Sequence, residues 1–339
     1  MFTLFCSSKN LPSHLRVSLG TAICLGLLKG KITVNPTTAY LMTYTDGKCS
    51  ANCGFCSQAR NSKSNRDMLS RITWPSFPTY LVTSAIAVAF KNGRINRVCI
   101  QALNVPDVFL HLEALVKEIK KCNIPVSVSC QPLNRQNILL LKNAKVDRIG
   151  IALDAATETI FRKTKGDKTG STYSWIHEIN LLKEALLIFG ADYVSTHLIV
   201  GLGETEKDII EVIQWCVNLG ILPALFAFTP IPGTELEKQS QPNITSYRRL
   251  QLVRHLIVNG ITCIEQVHFN VHGEITYFGV TNDILENIIQ SGKPFQTSGC
   301  PNCNRPFYNE RPRGPLYNYP KKLNIREIVE IKKQLCLSC

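Results

Sequence analysis

The sequence of 339 residues lacks an apolar run long enough to cross a membrane. Residues 18–28 are uncharged, but a spanning helix needs about 20 apolar residues. A signal-peptide pattern is also absent, because Lys9 is the only basic residue near the N-terminus and no small-residue cleavage site follows it. We therefore expect a cytoplasmic protein with no membrane partner, in which residues 18–30 form a helix packed on the main domain.

Acidic residues are few beside the basic ones, with 25 Asp and Glu against 38 Lys and Arg and a formal net charge of +13. This excess favours an acidic partner, such as a nucleic acid, an anionic cofactor or an acidic protein, although a solvated basic surface explains it equally well. The sequence shows no appended RNA-binding domain and no interleaved basic and aromatic residues typical of RNA-binding sheets. Nucleic acid is therefore not the expected partner.

Cysteine, by contrast, is abundant, with 14 residues. Disulfides at this density occur mainly in small secreted domains. An intracellular chain of this length is expected to keep its thiols reduced, and to use some of them in the core and others as metal ligands.

Short apolar runs alternate with amphipathic segments between residues 40 and 290. In one such segment, Leu112, Leu115 and Ile119 recur at helical spacing. Such alternation is typical of parallel βα units with right-handed crossovers, and six or seven units predict an α/β fold, a full or partial TIM-type (βα) barrel. The predicted strands are 40–46, 95–102, 124–130, 146–153, 191–201, 223–230 and 261–269.

We divide the chain into three parts on this basis. Residues 1–39 are predicted to be an N-terminal helical segment packed on the barrel, and residues 40–290 the barrel itself. Residues 291–339, which we call the tail, are rich in proline and glycine and show almost no apolar periodicity. The tail is expected to be a short irregular extension that contains cysteines and ends in a helix near residues 325–335.

Three cysteines, Cys49, Cys53 and Cys56, lie close together just after the first predicted strand. Thiolates at this spacing can bind three irons of a cubane iron–sulfur cluster and leave the fourth iron open. A structural zinc site usually takes four protein ligands, and no histidine lies nearby in the sequence. The triad therefore predicts a [4Fe–4S] cluster with one iron free for an outside ligand.

The Cys-x3-Cys-x2-Cys loop, with Phe55 before its last cysteine, resembles the radical SAM superfamily. The resemblance implies that the open iron binds S-adenosylmethionine (SAM), and that an electron donor such as ferredoxin reduces the cluster. Cleavage of SAM then yields a 5′-deoxyadenosyl radical, which abstracts hydrogen from an unreactive carbon. The protein binds, orients and shields these reagents.

Two later segments, "GIALDAAT" (150–157) and "LIVGLGET" (198–205), are similar to the fourth and fifth strands of the biotin synthase branch. By this similarity Asp154 would reach the ribose hydroxyls and Arg162 the methionine carboxylate, although an ordinary loop aspartate and a solvated arginine fit the same pattern. The other cofactor-binding candidates implied are Gln101 at the methionyl amine, Val200, Gly201 and Gly203 at the adenine, and Ile231 in the adenine-side wall.

The second, internal cluster of biotin synthase is predicted to be absent. The resemblance assigns its ligands to three cysteines and an arginine, but only Cys99 is retained here, since Ser127 and Ser195 occupy the next two positions. The segment expected to carry the arginine, "EQVHFNVH", has none. Cys99 alone is as compatible with a core residue as with a ligand.

The tail offers a replacement for that cluster. Cys300 and Cys303 form one Cys-x-x-Cys pair, and Cys336 and Cys339 form a second. Two such pairs can complete a tetrathiolate site, which would hold either an auxiliary [4Fe–4S] cluster or a structural zinc.

The cysteine loop and the tail together resemble the biotin-synthase-like proteins of two-component lipoyl synthases. This resemblance implies a radical SAM sulfurtransferase of lipoate biosynthesis. It would insert sulfur into an octanoyl chain on an acidic carrier protein, a lipoyl domain or H-protein, together with a second radical SAM subunit. The alternatives are a biotin-synthase-like or other small-molecule radical SAM enzyme, a tRNA-modifying radical SAM enzyme, and a non-catalytic iron–sulfur or zinc protein.

Overall fold

The computed structural model describes residues 10–336. Its strands are β1 (His14–Val17), β2 (Thr38–Thr43), β3 (Met68–Leu69), β4 (Ile72–Thr73), β5 (Ser76–Pro78), β6 (Arg97–Gln101), β7 (Val126–Ser129), β8 (Arg148–Gly150), β9 (Val194–Val200), β10 (Leu222–Ala227), β11 (His268–Phe269) and β12 (Ile275–Tyr277). Its helices are α1 (Leu19–Cys24), α2 (Thr79–Lys91), α3 (Val108–Lys120), α4 (Arg135–Asn143), α5 (Glu158–Thr164), α6 (Trp175–Phe189), α7 (Glu206–Leu219), α8 (Ile244–Val258), α9 (Asn282–Ser291) and α10 (Ile325–Gln334). None of these helices combines the length and the apolar character that crossing a membrane requires.

The main sheet has eight strands in the order β10-β9-β8-β7-β6-β2-β1-β5. Six of these strands are parallel to one another, namely β2, β6, β7, β8, β9 and β10. By contrast, β1 runs antiparallel to both β2 and β5. Helices connect the successive parallel strands, as βα units require. The structure thus confirms the α/β prediction in its partial form, because the sheet ends at β10 on one side and at β5 on the other.

Side chains of the parallel strands alternate between the surrounding helices and the barrel interior. In β6, Val98 and Ile100 are buried in the core with α3, while Cys99 and Gln101 line an interior cavity. The sequence Val-Ser-Val-Ser of β7 follows the same alternation. Because successive strand residues face opposite sides of the sheet, the polar and thiol groups are collected on the inside.

The connection from β9 into α7 is fixed at both ends of the helix. Thr205 caps the first turn, since its hydroxyl accepts the Asp208 N–H and the Asp208 carboxylate accepts the Thr205 N–H. The helix ends at Gly220, which has a φ of +80° that favours glycine. This helix therefore starts from a defined point beside the carboxyl end of β9.

Two details of the predicted organisation differ in the structure. Residues 261–269 were expected to form a seventh barrel strand, but they contain a 3-10 turn at Ile264–Gln266 and the two-residue strand β11, which pairs with β12 outside the main sheet. The polar pair Glu265–Gln266 interrupts the apolar run there. The N-terminal segment is not only helical, because β1 precedes α1 and joins the main sheet.

The tail is held by a core that it shares with α8 and α9. One apolar cluster joins these parts. It contains Leu256 of α8, Ile289 of α9, Ile331 of α10 and Phe295, which lies shortly after α9. Arg248 of α8 is fully buried, and its guanidinium donates to side chains on both sides and to tail carbonyls. Its acceptors are Gln251 Oε1 at 2.6 Å, Gln334 Oε1 at 2.9 Å, the Tyr317 carbonyl at 2.6 Å and the Leu316 carbonyl.

We expect Arg248→Met to loosen the tail, because the partly buried Leu316 carbonyl would lose its guanidinium donor and the Tyr317 carbonyl would keep only the Gln251 amide. An acceptor left without a donor costs about 1–3 kcal/mol when it is buried. Limited proteolysis should then cut the variant between residues 297 and 322 under conditions in which the wild type is resistant. Arg326→Met is the matched control, since Arg326 is exposed on α10. Equal resistance of the two variants would show that the buried arginine does not hold the tail.

Candidate functional site

The candidate residues collect at the carboxyl edge of the parallel strands. The cysteine loop, residues 49–56, follows β2, and Gln101 ends β6. Asp154 follows β8, while Gly201 follows β9 directly. In parallel βα folds this edge carries the functional loops, so segments far apart in the sequence meet there.

The cysteine loop is fixed mainly by backbone hydrogen bonds. The Cys49 N–H donates to the Gln58 carbonyl at 3.0 Å, and the Cys56 N–H donates to the Cys53 carbonyl at 3.0 Å. The Gly54 N–H donates to the Thr164 carbonyl at the end of α5, at 2.7 Å. The three cysteines are therefore held in place by the surrounding chain.

The chemistry of these thiols fits an iron–sulfur cluster. Burial raises the pKa of Cys56 to about 12 and raises the pKa of Cys53 well above its usual value. The free thiols are thus protonated at neutral pH, and binding of metal would release their protons. Three soft sulfur donors on one loop are the donor set that such clusters take. Within residues 10–336, no three Cys, His, Asp or Glu side chains converge on a single-ion site.

A buried ion pair lies directly behind the loop. Lys165 is 1% exposed, and its Nζ donates to Asp154 Oδ2 at 2.9 Å. Burial by itself lowers the pKa of Lys165, but the carboxylates of Asp154 and Glu178 and the thiol of Cys53 outweigh burial and raise it. The lysine therefore stays charged, and it fixes the carboxylate of Asp154. Sequence reasoning missed Lys165, which stands among other polar residues and carries no distinguishing signal.

Four predicted positions line one cavity at this edge, which we call the first cavity. Phe55 and Cys56 come from the cysteine loop, Asp154 from the end of β8 and Ile231 from the segment after β10. The space inside it, counted together with the open solvent at its mouth, is about 620 Å³. The structure thus brings together residues that are up to about 180 positions apart in the sequence.

Four other candidates lie elsewhere. Arg162 forms an exposed ion pair with Asp167, at 2.8 and 3.0 Å, and does not reach into the first cavity. Val200 is buried in the core. Gly201 and Gly203 have φ angles of +105° and +117° and form a tight turn. The carboxylate of Glu204, a residue with no predicted role at the cofactor, closes this turn by accepting the Gly201 N–H at 2.6 Å.

A second cavity, of about 860 Å³, lies deeper in the barrel and contains Gln101. Its lining also includes Cys99 of β6 and the tail residues Cys300 and Cys303. The two cavities share His197 and Phe226, whose rings lie 4.8 Å apart. Burial lowers the pKa of His197 to about 4, so its imidazole is neutral at neutral pH. A histidine inside an apolar strand, "STHLIV", was the available signal for this residue.

Of the second tail pair the structure describes only Cys336, which lies apart from Cys300 and Cys303. Cys336 is exposed just after α10, which packs on α8 and α9 at the outside of the barrel. Cys300 and Cys303 lie inside the barrel instead. Cys339 lies outside the described residues. The described part of the chain therefore gives no tetrathiolate site made from Cys300, Cys303 and Cys336.

A family model for the radical SAM superfamily matches residues 45–216, more than half of the chain. The biotin synthase of Sulfurihydrogenibium sp. is 29% identical over 221 residues, which cover 63% of this chain and 61% of that protein. The biotin synthase of Acinetobacter calcoaceticus is 25% identical over 225 residues, covering 64% of each. The chain thus spans less than two thirds of the length of these curated relatives.

Solved structures show the same fold. Methylornithine synthase superposes with a TM-score of 0.51 at 14% identity, over 67% of this chain and 63% of that one. The FeFe-hydrogenase maturase HydG from Carboxydothermus hydrogenoformans gives a TM-score of 0.51 at 16% identity, over 66% of this chain and 52% of that one.

We expect Lys165→Met to lower the free energy of unfolding by about 3–5 kcal/mol, because it leaves the Asp154 carboxylate buried without its partner. Arg162→Met is the matched control. It also removes the cation of an ion pair with an aspartate, but the Arg162–Asp167 pair is exposed, so the free energy of unfolding should change little. Urea unfolding of the two variants measures the difference. Similar stability losses in both would contradict a special role for the buried pair.

Proposed function

Since the chain belongs to the radical SAM superfamily, we propose that it inserts sulfur into an octanoyl chain borne by a carrier protein, as one component of a lipoyl synthase. The observation that carries this proposal is the position of the Cys300–Cys303 pair, which reaches a cavity directly beside the first one. When bound, the [4Fe–4S] cluster and SAM supply a 5′-deoxyadenosyl radical that removes hydrogen from a substrate carbon.

The chain's own residues position these reagents. Cys49, Cys53 and Cys56 would hold the cluster. The carboxylate of Asp154 would accept hydrogen bonds from the ribose hydroxyls, and Phe55 and Ile231 would pack on either side of the nucleoside. A fixed carboxylate and apolar walls hold reactants in one geometry and keep water away, which is the protein's part in radical chemistry.

Sulfur insertion is proposed because the second cavity, with its cysteines, lies beside the first cavity. Each insertion would replace one C–H bond by a C–S bond, with the hydrogen leaving on 5′-deoxyadenosine. The sulfur would give up its bond to iron in an auxiliary cluster, and an iron of that cluster would accept the remaining electron. A reacting carbon at the shared wall of His197 and Phe226 would have the cofactor on one side and the thiols of the second cavity on the other. The sulfur would therefore come from an auxiliary group at Cys300 and Cys303, for which an iron–sulfur cluster is proposed over zinc.

A protein carrier is favoured by the entrance to the site. A groove of about 980 Å³ shares Thr229, Ile231 and Asn309 with the first cavity, and Arg71 and Arg311 lie along it. An octanoyl chain is apolar and offers few groups for orientation, so contacts with its carrier would supply the positioning. The basic groove suits an acidic lipoyl domain or H-protein, with a second radical SAM subunit completing the reaction.

Biotin synthesis is the second candidate, favoured by the names of the curated relatives. Against it, Ser127 and Ser195 line the second cavity at positions where the resemblance assigns cluster cysteines. A tRNA substrate and a non-catalytic role remain as outcomes that the same assays distinguish.

We expect Cys53→Ala to abolish formation of 5′-deoxyadenosine, because the remaining two thiolates cannot hold a three-ligand cluster. Cys122→Ala is the control, since Cys122 is an exposed cysteine after α3, and it should keep wild-type activity. The measurement is SAM cleavage by anaerobically reconstituted protein under reducing conditions. Continued cleavage by Cys53→Ala would end the assignment of the loop.

We expect sulfur insertion into an octanoylated carrier, and little into free octanoate, dethiobiotin or tRNA, when each is assayed with the second subunit present. The double variant Arg311→Ala/Arg313→Ala should lower kcat/KM for the carrier about tenfold. Added salt should bring the kcat/KM values of the wild type and the variant closer together, because salt screens the attraction between the arginines and the acidic carrier. Lys117→Ala/Lys121→Ala removes two exposed charges from the outer helix α3 and should have little effect. Salt-insensitive thiolation of dethiobiotin, with the carrier untouched, would transfer the protein to biotin synthesis.

A further inference from the structure

Three neighbouring strands present a row of side chains to the second cavity. Cys99 of β6 is in register with Tyr40 of β2 on one side and with Ser127 of β7 on the other. Adjacent strands lie about 4.8 Å apart, so the three side chains stand next to each other on the inner face. All three line the second cavity. Cys99 therefore occupies the middle of the row.

The two tail cysteines lie on the two outer members of this row. Cys303 Sγ is 3.2 Å from the hydroxyl of Tyr40, and Cys300 Sγ is 3.7 Å from the hydroxyl of Ser127. Cys99 stands between Tyr40 and Ser127 on the strands, and all three cysteines line the second cavity. Local sequence spacing cannot show this meeting, since Cys99 and Cys300 are about 200 positions apart.

The turn that carries the tail cysteines is anchored by contacts that do not involve sulfur. Asn304 Oδ1 accepts the Thr37 N–H at 3.0 Å, and Asn304 Nδ2 donates to the Asn35 carbonyl at 2.9 Å. On the other side, the Ser298 hydroxyl accepts the Leu225 N–H of β10 at 2.8 Å. The cysteine pair is thus aimed at the row by the protein itself, as a preorganised ligand site requires.

We propose that Cys99, Cys300 and Cys303 together bind an iron–sulfur cluster inside the barrel, with Cys99 as the third thiolate and Cys336 outside the site. This inference deepens the auxiliary site of the proposed function, but it does not depend on which substrate receives sulfur. It also gives Cys99 a role that the loss of the cysteines at positions 127 and 195 had left open.

The surroundings suit buried thiolates. Burying several anions is costly unless cations or metal offset them. Arg97 donates to the Ser127 hydroxyl at 3.2 Å, and Arg305, which also lines the cavity, lies with its guanidinium carbon 3.7 Å from the centre of the Phe226 ring. Within residues 10–336, Arg305 Nε and the Tyr308 hydroxyl are buried without hydrogen-bond partners. Both residues belong to the cavity lining and offer donors to an anionic group there.

An all-thiolate donor set favours iron–sulfur clusters or zinc among common metals. Structural zinc sites take four protein ligands, whereas the second cavity supplies three thiols. The cysteine loop also has three thiols. The chain would therefore use three protein ligands for the cluster at the first cavity and three for the cluster at the second.

The test uses the full chain with Cys49, Cys53 and Cys56 changed to alanine, so that only the second site can bind metal. After anaerobic reconstitution with iron and sulfide, this background should retain about four iron atoms per chain, as expected for one [4Fe–4S] cluster. Adding Cys99→Ala should reduce iron and labile sulfide to below about one per chain. Adding Cys130→Ala or Cys336→Ala should leave both unchanged.

Cys130 is the matched control because it is also a buried cysteine of the barrel, packed in the core after β7. Should Cys99→Ala fail to fold, Cys99→Ser decides the question, since an oxygen ligand should change the EPR spectrum of the reduced cluster while Cys130→Ser should not. Full iron retention or an unchanged spectrum without the Cys99 thiol would overturn the proposal, as would stoichiometric zinc with no labile sulfide. A three-cysteine cluster in a protein that inserts no sulfur would support this inference and refute only the proposed function.

Discussion

The structure depends on how the open side of its partial barrel is closed. Six parallel strands end at β10, whose outer edge would otherwise expose unpaired backbone groups. The tail covers that edge with side chains, since Ser298 bonds to Leu225, and then crosses to Asn35 and Thr37 before β2. Arg254 of α8 donates to the Pro223 carbonyl at 2.6 Å on the same edge. Closure therefore comes from hydrogen bonds to a segment with little regular structure, and the same segment carries thiols into the interior.

Electrostatics links the two thiol groups of the interior. Each lies beside a buried or partly buried cation, Lys165 at the cysteine loop and Arg305 at the second cavity. Cations in these positions lower the pKa of the nearby thiols against the effect of burial, which raises it. If these groups bind metal, the thiolates that form would be stabilised by the neighbouring cations. Two of the basic residues of the sequence thus lie beside thiols inside the protein.

The sequence predicted the parts of the fold and site that local pattern controls. Strand alternation predicted the parallel units. The structure brings the cysteine loop, Asp154 and Ile231 together at one edge, because every parallel strand ends there. Other features could not be predicted from local pattern. Arg162 and Lys165 are both basic residues of one short segment, and only tertiary packing decides that Lys165, not Arg162, is buried beside Asp154. The run at 261–269 was predicted as a strand, but its polar pair Glu265–Gln266 lies in a 3-10 turn.

The wall between the two cavities constrains what the interior can hold. Desolvation lowers the pKa of His197 and outweighs the opposite effect of Asp154, and Arg305 and Lys165 lower this pKa further, so the imidazole stays neutral. Its neighbour Phe226 is covered on one face by the Arg305 guanidinium. The two side chains of this wall are therefore uncharged, while Arg305 lines the second cavity beside Phe226. An apolar chain can lie against such a wall without desolvating a charge, whereas an anionic group would be drawn past it toward Arg305. The space between the two cavities thus has an uncharged wall, and charged groups lie on either side of it. Such an arrangement suits a reaction at an unactivated carbon, because the reacting atom carries no charge of its own.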